Sequence, residues 1–327
     1  MTTHGLSALL AALEQLPPDR EVVLATVIDT QGSSYRKPGA RMLIDLAEHS
    51  LTGIVGGGCF DDDLIEHARE VAGSGRCKVA FYDMRADDDV LWGLGMGCNG
   101  AVRVLLQPVR AGHPIIELLS RLADPGGVVS TCLESGDCWE DSAEATPGLS
   151  HQDDREIYTA HIPPRFRLGI FGTGSDVIPL VQLADQLDWH VTLWDHRPGK
   201  AKPERFPLAA KIAAFEDFEV EDASRCHALL VMSHNFDADR RFLNAVAELG
   251  VPFIGSLGPA ARRERLLEEM ARVPDGFAAR LVGPVGLDLG GDLPEEIALS
   301  VMSQLQAFRL SRSGQSLAGR ADSGPGR

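Results

Sequence analysis

The sequence has few positive charges for its size, with 31 Lys and Arg against 47 Asp and Glu and a formal net charge of −16. Nucleic acids and anionic membrane surfaces are bound through clusters of cations, so we expect neither as a partner. No apolar run reaches the roughly 20 residues that cross a bilayer. The N-terminal segment MTTHGLSALLAALEQL lacks the basic residues that begin a secretory signal and has leucines at helical spacing. These absences predict a cytoplasmic protein.

Paired cysteine motifs are also missing. No two of the six cysteines form a CxxC motif, and no His/Cys spacing resembles that of a zinc site. We therefore expect reduced thiols, most of them buried as small apolar groups. The sequence assigns no catalytic residue and leaves the metal ligands open.

The length and the order of the patterns predict two domains. In residues 1–164, strand-like runs, including LTGIVGG at 51–57, surround few helices, one of them expected from Asp61 to Ala72. Grouped strands of this kind indicate a mixed α+β domain. In residues 165–310 strands alternate with helices, which predicts an α/β fold with a Rossmann-like, doubly wound parallel sheet. We expect the Gly/Ser/Arg-rich tail at 311–327 to be disordered.

The first turn of the second domain reads GTGSDV. Gly172 and Gly174 provide the tight turn and the close approach that a dinucleotide phosphate needs, and Asp195 ends the next strand, where an acid binds ribose hydroxyls. Val177 replaces the third glycine of this fingerprint, and Asp176 places a negative charge near any pyrophosphate. The turn therefore predicts a Rossmann-like fold with weak NAD(P) binding. The alternative is a turn that is retained for packing alone.

Cations are concentrated in the segment DTQGSSYRKPGARML. Arg36, Lys37 and Arg41 lie within six residues, and Gly39 permits unusual backbone angles. The segment predicts an anion-binding cradle. The alternative is a hydrophilic hairpin between two strands.

The segment IVGGGCFDDDL places a thiol in a glycine turn before a helix. Gly57 and Gly58 allow a ligand to approach the backbone closely, and the helix start favours a lowered pKa for Cys59. The three aspartates that follow oppose this shift. The alternative is a hairpin that leads into a well-capped helix.

A second glycine loop, WGLGMGCNG, contains Gly97, Cys98 and Gly100. Its glycines exclude a stable helix or strand interior. Two thiols in glycine loops predict contact with a soft metal or a sulfur ligand. The alternative is a chance similarity between the two loops.

The order of these motifs resembles that of the XdhC/CoxI family of xanthine dehydrogenase accessory proteins. The first domain carries GSSYRKPGARML, GGGCFDDDL and WGLGMGCNG, which are similar to the family segments GS-x-PR-x-PGARM, GGC-x-E and G-x-GCGG. The second domain carries LGIFGTGSDV, VTLWDHRP, VMSHNFDAD, FIGSLGPAARRERL and GPVGLDLGGDLPEEIALSVMSQL, each similar to a family segment. The resemblance extends over about residues 12–308.

The resemblance implies a molybdenum cofactor (molybdopterin) chaperone rather than a catalyst. Such a protein binds the cofactor, helps its maturation and inserts it into an apo molybdenum hydroxylase of the xanthine dehydrogenase type. A homodimer and an interaction with a cysteine desulfurase are also implied. The cofactor-binding positions carried over from the family are Arg36, Gly39, Arg41, Gly57, Gly58, Cys59, Gly97, Cys98, Gly100, Gly172, Gly174, Asp195, His234, Asp239, Gly258 and Asp288.

Departures from the family pattern are concentrated in the second domain. The family's GAGHVG is GTGSDV here, and Asn235 and Phe236 replace an acid and a histidine of its THDH segment. Two other functions stay open at this point. One is an NAD(P)-dependent oxidoreductase that uses the Rossmann-like domain, and the other is a non-catalytic binding protein that retains the fold.

Overall fold

The computed structural model describes residues 5–32, 34–58, 60–84 and 100–318. The chain divides into two compact units, Met1–Arg165 and Phe166–Arg327. No helix in the described ranges combines the length and hydropathy needed to cross a membrane.

The first unit contains two antiparallel sheets. A five-stranded sheet has the order β3-β2-β1-β5-β4, and a four-stranded sheet has the order β7-β6-β9-β8. The strands are β1 Glu21–Gly32, β2 Arg41–Asp45, β3 Ser50–Gly53, β4 Lys78–Asp83, β5 Gly100–Arg110, β6 Gly127–Cys132, β7 Cys138–Glu140, β8 Gly148–Gln152 and β9 Arg155–Ile162. The helices are α1 Leu6–Glu14, α2 Asp61–Val71 and α3 Pro114–Leu122.

The helices of the first unit cover apolar faces of its sheets. Leu64, Ala68 and Val71 of α2 are buried against residues of the five-stranded sheet. On α1, Leu9, Leu10 and Leu13 are buried in a second cluster that includes residues of α3. The leucine spacing of the N-terminal segment therefore did indicate an amphipathic helix.

The predicted strand at 51–57 is wrong in its extent, because β3 ends at Gly53. Gly53 has a φ of +90°, and a Cβ there would lie 2.4 Å from the carbonyl oxygen of Arg41. This conformation turns the chain away from the sheet and is open only to glycine.

The second unit has a six-stranded sheet of the order β12-β11-β10-β13-β14-β15, and each pairing is parallel. Its strands are β10 Arg167–Phe171, β11 His190–Asp195, β12 Lys211–Ala214, β13 Ala228–Val231, β14 Ile254–Ser256 and β15 Leu281–Val282. Its helices are α4 Val177–Gln186, α5 Val220–Ser224, α6 Phe236–Val246, α7 Ala260–Glu269, α8 Phe277–Arg280 and α9 Pro294–Arg309. The predicted fold class, a Rossmann-like parallel sheet, is confirmed.

The core of the second unit lies on both faces of its sheet. One cluster packs α4 and α9 against residues such as Leu168 and Ile170, and the other packs α6 against Phe171 and Trp194. Val177, which takes the place of the third fingerprint glycine, is fully buried in the first cluster. Of the predicted tail, residues 311–318 are described, and the Arg312 amide donates a hydrogen bond to the Ala307 carbonyl; 319–327 lie outside the described residues.

Candidate functional site

Three loops of the first unit leave the same edge of the five-stranded sheet. Gly32, at the end of β1, pairs with Gly100, at the start of β5, and Asp83, at the end of β4, pairs with Ala101. Gly53, at the end of β3, pairs with Met42 near the start of β2. The β1–β2, β3–α2 and β4–β5 connections, which carry the cradle and the two cysteine loops, therefore begin or end at one edge.

The cradle residues surround a small cavity at this edge. Arg36, Gly39 and Arg41 line a volume of about 250 Å³ together with Gly53 and Ile54, the residues that lead into the first cysteine turn. Gly39 has a φ of +94°, which favours glycine at this position. The structure thus brings together three of the predicted positions.

The two arginines of the cavity have no acidic partner among the described residues. Arg36 is exposed, and the Arg41 guanidinium donates a hydrogen bond to the Gly39 carbonyl at 3.2 Å. Burial lowers the pKa of Arg41, because water is excluded from a cation that no carboxylate in the described ranges compensates. An anion in this cavity would supply the missing charge.

Tyr158 of β9 adds a phenol next to the cradle, and sequence reasoning missed it. Its hydroxyl would lie 3.7 Å from a Cβ placed on Gly39. Burial raises the pKa of Tyr158 to about 12, although the Arg41 charge acts in the opposite direction. The phenol therefore stays protonated and can donate a hydrogen bond. No sequence pattern connects Tyr158 with the cradle, because more than a hundred residues separate it from that loop.

The first cysteine turn is described on both sides of the thiol. Gly57 and Gly58 are exposed, and Gly58 has a φ of +91° with no atom within 4 Å of a Cβ placed on it. The Phe60 ring stacks on Tyr82 at 4.4 Å between centroids. Cys59, Gly97 and Cys98 lie outside the described residues, so their predicted roles stay predictions.

Asp61 follows this turn as the first residue of α2. Its Oδ1 atom is buried and has no hydrogen-bond partner in the described part of the chain. Burial, followed by the neighbouring charge of Asp62, raises the pKa of Asp61. A carboxylate oxygen without a partner is a place where a donor from a ligand would be stabilised.

In the second unit the predicted positions follow the carboxyl ends of parallel strands. Gly172 comes after β10 with a φ of +133°, and a Cβ there would lie 2.5 Å from the Met232 carbonyl oxygen. The two connections after β10 and β13 therefore touch. The sheet order reverses between these two strands, which is where open α/β sheets bind ligands.

Asp195 does not present a free carboxylate to a ribose. Its Oδ2 accepts hydrogen bonds from the Thr173 amide at 2.9 Å and hydroxyl at 2.6 Å, while the Arg197 guanidinium donates to both of its oxygens at 2.8 and 2.9 Å. Burial alone would raise the pKa of Asp195, but the hydrogen bonds from Arg197 and Thr173 outweigh it and lower the pKa to about 2. Sequence reasoning placed the acid correctly in the fold but missed both partners.

Asp176 and His234 form a pair across the switch point. His234 has a φ of +57°, a strained conformation for a residue with a side chain, and its Nε2 lies 2.8 Å from Asp176 Oδ2. The negative charge that the sequence placed at the glycine turn is therefore directed toward the histidine. Gly174 lies two residues before Asp176 in the same turn. A Cβ placed on Gly174 would contact the Asp176 carboxylate.

The remaining predicted positions have different surroundings. Asp239 is buried and accepts hydrogen bonds from Ser233 and, at 2.7 Å, from Arg262. Gly258 has a φ of +110° and packs against Arg262, so both positions fix the loops after β13 and β14. Asp288 is exposed in the segment that follows β15. In the described ranges, no group of three or more His, Cys, Asp or Glu is placed to hold a metal ion.

Comparison with known proteins identifies related chains for both units. Residues 168–305 match the family model for the XdhC Rossmann domain, and residues 16–83 match the model for the XdhC and CoxI family. The chain is 30% identical over 315 residues to a Bacillus subtilis (strain 168) protein named as a probable xanthine dehydrogenase component, covering 89% of this chain and 94% of that protein. It is 22% identical over 318 residues to the molybdenum cofactor insertion chaperone PaoD of Escherichia coli (strain K12), covering 95% of this chain and 90% of PaoD.

A solved structure extends the likeness to the fold. A crystal structure described as a xanthine dehydrogenase from Bacillus halodurans superposes with a TM-score of 0.75 at 31% identity, covering 95% of this chain and 97% of that one. The likeness in sequence and in fold to these relatives extends over nearly the whole length of the chain. The chain therefore belongs to the XdhC/CoxI family.

Proposed function

We propose that this protein binds the molybdenum cofactor and inserts it into an apo molybdenum hydroxylase of the xanthine dehydrogenase type. The observation that carries the proposal is the cavity where Arg36 and Arg41 meet the start of the first cysteine turn without a carboxylate partner among the described residues. The relative PaoD, which is named as a molybdenum cofactor insertion chaperone, supports the same role.

The residues of the cavity suit the phosphate end of the cofactor. Two guanidiniums with free donors form charge-assisted hydrogen bonds to a phosphate, and Tyr158 provides a neutral donor beside them. The volume of about 250 Å³ is below the roughly 300–1,000 Å³ of pockets that enclose a whole small molecule. We infer that the cavity takes the phosphate and that the rest of the cofactor extends along the glycine turns.

The cysteine loops would act on the other end of the cofactor. Bound cofactor supplies molybdenum and sulfur, which favour thiolate contacts, so Cys59 and Cys98 are the residues we assign to that end. Gly57, Gly58, Gly97 and Gly100 would leave room for the pterin. Because the chain holds the cofactor for transfer, this function needs no catalytic side chain of its own.

The partners follow from this function. An apo molybdenum hydroxylase must receive the cofactor. A cysteine desulfurase as sulfur donor and a homodimer remain part of the proposal through the family resemblance alone.

An NAD(P)-dependent oxidoreductase is the second candidate. Its support is the Gly172 and Gly174 turn in a parallel sheet of Rossmann type. The engagement of both Asp195 oxygens by Arg197 counts against it, because ribose hydroxyls would have to displace these bonds. We therefore propose weak NAD(P) binding at most.

The test of the cradle is the affinity for molybdopterin of Arg36→Ala. A charge-assisted hydrogen bond contributes roughly 1.5–3 kcal/mol, so the dissociation constant of the variant for molybdopterin should be about ten- to a hundredfold higher than that of the wild type. This difference should be smaller at high salt, because salt screens the charge in both proteins. Arg121→Ala is the matched control, since it removes a half-exposed arginine of the same unit that pairs with Glu140. Equal affinities of Arg36→Ala and the control would contradict the assignment.

The test of the thiol is Cys59→Ala. We expect the variant to keep its fold, shown by unchanged circular dichroism and thermal unfolding, and to lose cofactor retention and activation of the apo-enzyme. Cys226→Ala is the control, because Cys226 is buried in the core of the second unit. If Cys59→Ala retains as much cofactor as the wild type, the thiol does not contribute to cofactor binding and the turn has a structural role only.

A further inference from the structure

Exposed leucines are concentrated on and beside the last helix of the second unit, α9. Of the twelve large hydrophobic side chains that are exposed in the described part of the chain, five line a single groove of about 830 Å³. These five are Leu187, Leu289, Leu299, Leu310 and Leu317. Single exposed leucines are ordinary, but a contiguous exposed apolar patch marks an interaction site. We call this feature the α9 groove.

The helix α9 supplies a stripe of residues along the groove. The residues of this stripe follow one another at intervals that keep them on one face of the helix, and they are Leu299, Met302, Ser303, Gln306 and Leu310. A different face, which includes Val301 and Leu305, is buried in the core of the second unit. The helix therefore has two faces with apolar side chains, and the core covers only one of them.

The chain's own C-terminal segment forms a wall of the groove without filling it. A Cβ placed on Gly314 would lie 3.1 Å from the Leu287 side chain and 3.7 Å from that of Ala307, so the segment turns back along α9. Leu317 nevertheless stays 55% exposed. The residues that follow, 319–327, read GRADSGPGR and contain no large apolar side chain. An apolar occupant is therefore more readily supplied by another molecule.

Two charges at the ends of the stripe indicate which molecule fits. Glu295 lies two helical turns before Met302 and Arg309 two turns after it, so both lie along the same edge of the stripe. Both are exposed, and neither forms an ion pair or a side-chain hydrogen bond with another described residue. In two antiparallel copies of α9 with a two-fold axis near Met302, Glu295 of each copy faces Arg309 of the other.

We propose that the α9 groove is the interface of a symmetric homodimer in which the two α9 helices pack antiparallel. The leucines form its apolar centre, and the pairs between Glu295 and Arg309 form part of its polar rim. Antiparallel packing also brings the positive end of each helix dipole beside the negative end of the other. The interface deepens the proposed function, of which a homodimer is part, by naming the surface. Because it is measured without molybdopterin, its failure is distinct from failure of the cofactor assignment.

The test is sedimentation velocity of the full chain over a series of concentrations. The wild type should be a dimer, and the Leu299→Glu, Leu310→Glu double variant should have a dimer dissociation constant about a hundredfold higher or more, because it places charges within an apolar contact. The control is Leu208→Glu, Val220→Glu, which makes the same change at two exposed side chains of the second unit outside the groove.

Both double variants should keep the fold, shown by unchanged circular dichroism and thermal unfolding, because the substituted side chains are exposed. The control should dimerise as the wild type does. A wild type that stays monomeric at every concentration, a leucine variant that stays dimeric, or equal weakening in both double variants would overturn the proposal.

Charge reversal tests the antiparallel arrangement. Glu295→Arg and Arg309→Glu should each raise the dissociation constant of the dimer about three- to tenfold, because like charges then face each other at two symmetric places. The double variant with both changes should return to within about twofold of the wild type, because opposite charges face each other again. A double variant that dimerises no better than the single ones would contradict this arrangement.

The apo molybdenum hydroxylase is the other candidate for the groove, and the leucine variant separates the two. With a homodimer interface, the wild type is dimeric in the absence of the apo-enzyme. A monomeric wild type whose activation of the apo-enzyme is lost in Leu299→Glu, Leu310→Glu and kept in Leu208→Glu, Val220→Glu would assign the groove to the apo-enzyme and overturn the proposal.

Discussion

Both units place arginines beside a glycine turn, but they use them differently. In the second unit Arg197 pairs with the buried Asp195, and the pair fixes the Gly172 turn through Thr173. In the first unit Arg41 reaches only the Gly39 carbonyl among the described residues. Arg197 is part of the fold, whereas Arg41 has no carboxylate partner in the part of the chain that the structure describes.

The difference indicates which guanidinium a ligand can use. A buried carboxylate that accepts several hydrogen bonds already satisfies its arginine, and breaking such a pair leaves an uncompensated charge. A half-buried arginine without an acid gains most from an added anion. We infer that the arginines of the first unit are more open to an anionic group of the molybdenum cofactor than Arg197 of the second unit.

The largest expected effect is on the fold of the second unit. Gly172→Ala should lower its free energy of unfolding by about 3 kcal/mol, because φ is +133° and the new Cβ would lie 2.5 Å from the Met232 carbonyl oxygen. Gly250→Ala is the control, since no atom lies within 4 Å of a Cβ placed there. Urea denaturation of both variants measures the difference, and equal stabilities would show that the turn is not constrained.

A smaller effect is expected from acid. The folded-state pKa of Asp195 is lowered to about 2, so its ionised form stabilises the fold at pH values above its unfolded pKa of about 3.9. This contribution, about 2 kcal/mol, should be lost as the pH falls from 5 toward 2. Urea denaturation across this range should show a steeper loss for the wild type than for Asp195→Asn. Parallel pH profiles would contradict the role of the Arg197 pair.

The smallest expected effect is the binding of nicotinamide cofactors. Because both Asp195 oxygens already accept hydrogen bonds, we expect NADH to bind with a dissociation constant of about 100 µM or higher. A dissociation constant of about 100 µM corresponds to a binding free energy of roughly −5.5 kcal/mol. Calorimetry with NADH and NADPH measures this. Submicromolar affinity for either would favour the oxidoreductase and would remove the contrast between the two units.

The sequence predicted what depends on local patterns. Alternating strands and helices indicated the parallel sheet. Cations at close spacing in 36–41 predicted an anion-binding cradle; Arg36 and Arg41 line one cavity, and anion binding there stays a prediction. The extent of β3 was missed because the turn at Gly53 is imposed by the approach of the Arg41 carbonyl from the neighbouring strand. A period-2 pattern contains no information about such a contact.

Contacts between distant segments explain the rest. Asp195 has the position expected of a ribose-binding acid, yet its hydrogen bonds to Thr173, 22 residues earlier, engage it in the fold. Tyr158 reaches the cradle from a different sheet. Only the folded chain shows whether a polar side chain is already satisfied, and this is what separates a structural residue from a ligand-binding one.

The most direct test of the central claim is the content of the protein purified from a host supplied with molybdenum. The account predicts that molybdenum and pterin accompany the wild type in equal amounts and are strongly reduced in Arg36→Ala, while Arg121→Ala retains them. Metal analysis by mass spectrometry and fluorescence of the oxidised pterin measure both components. A wild-type protein that carries neither, and takes up neither when incubated with molybdopterin, would contradict the account.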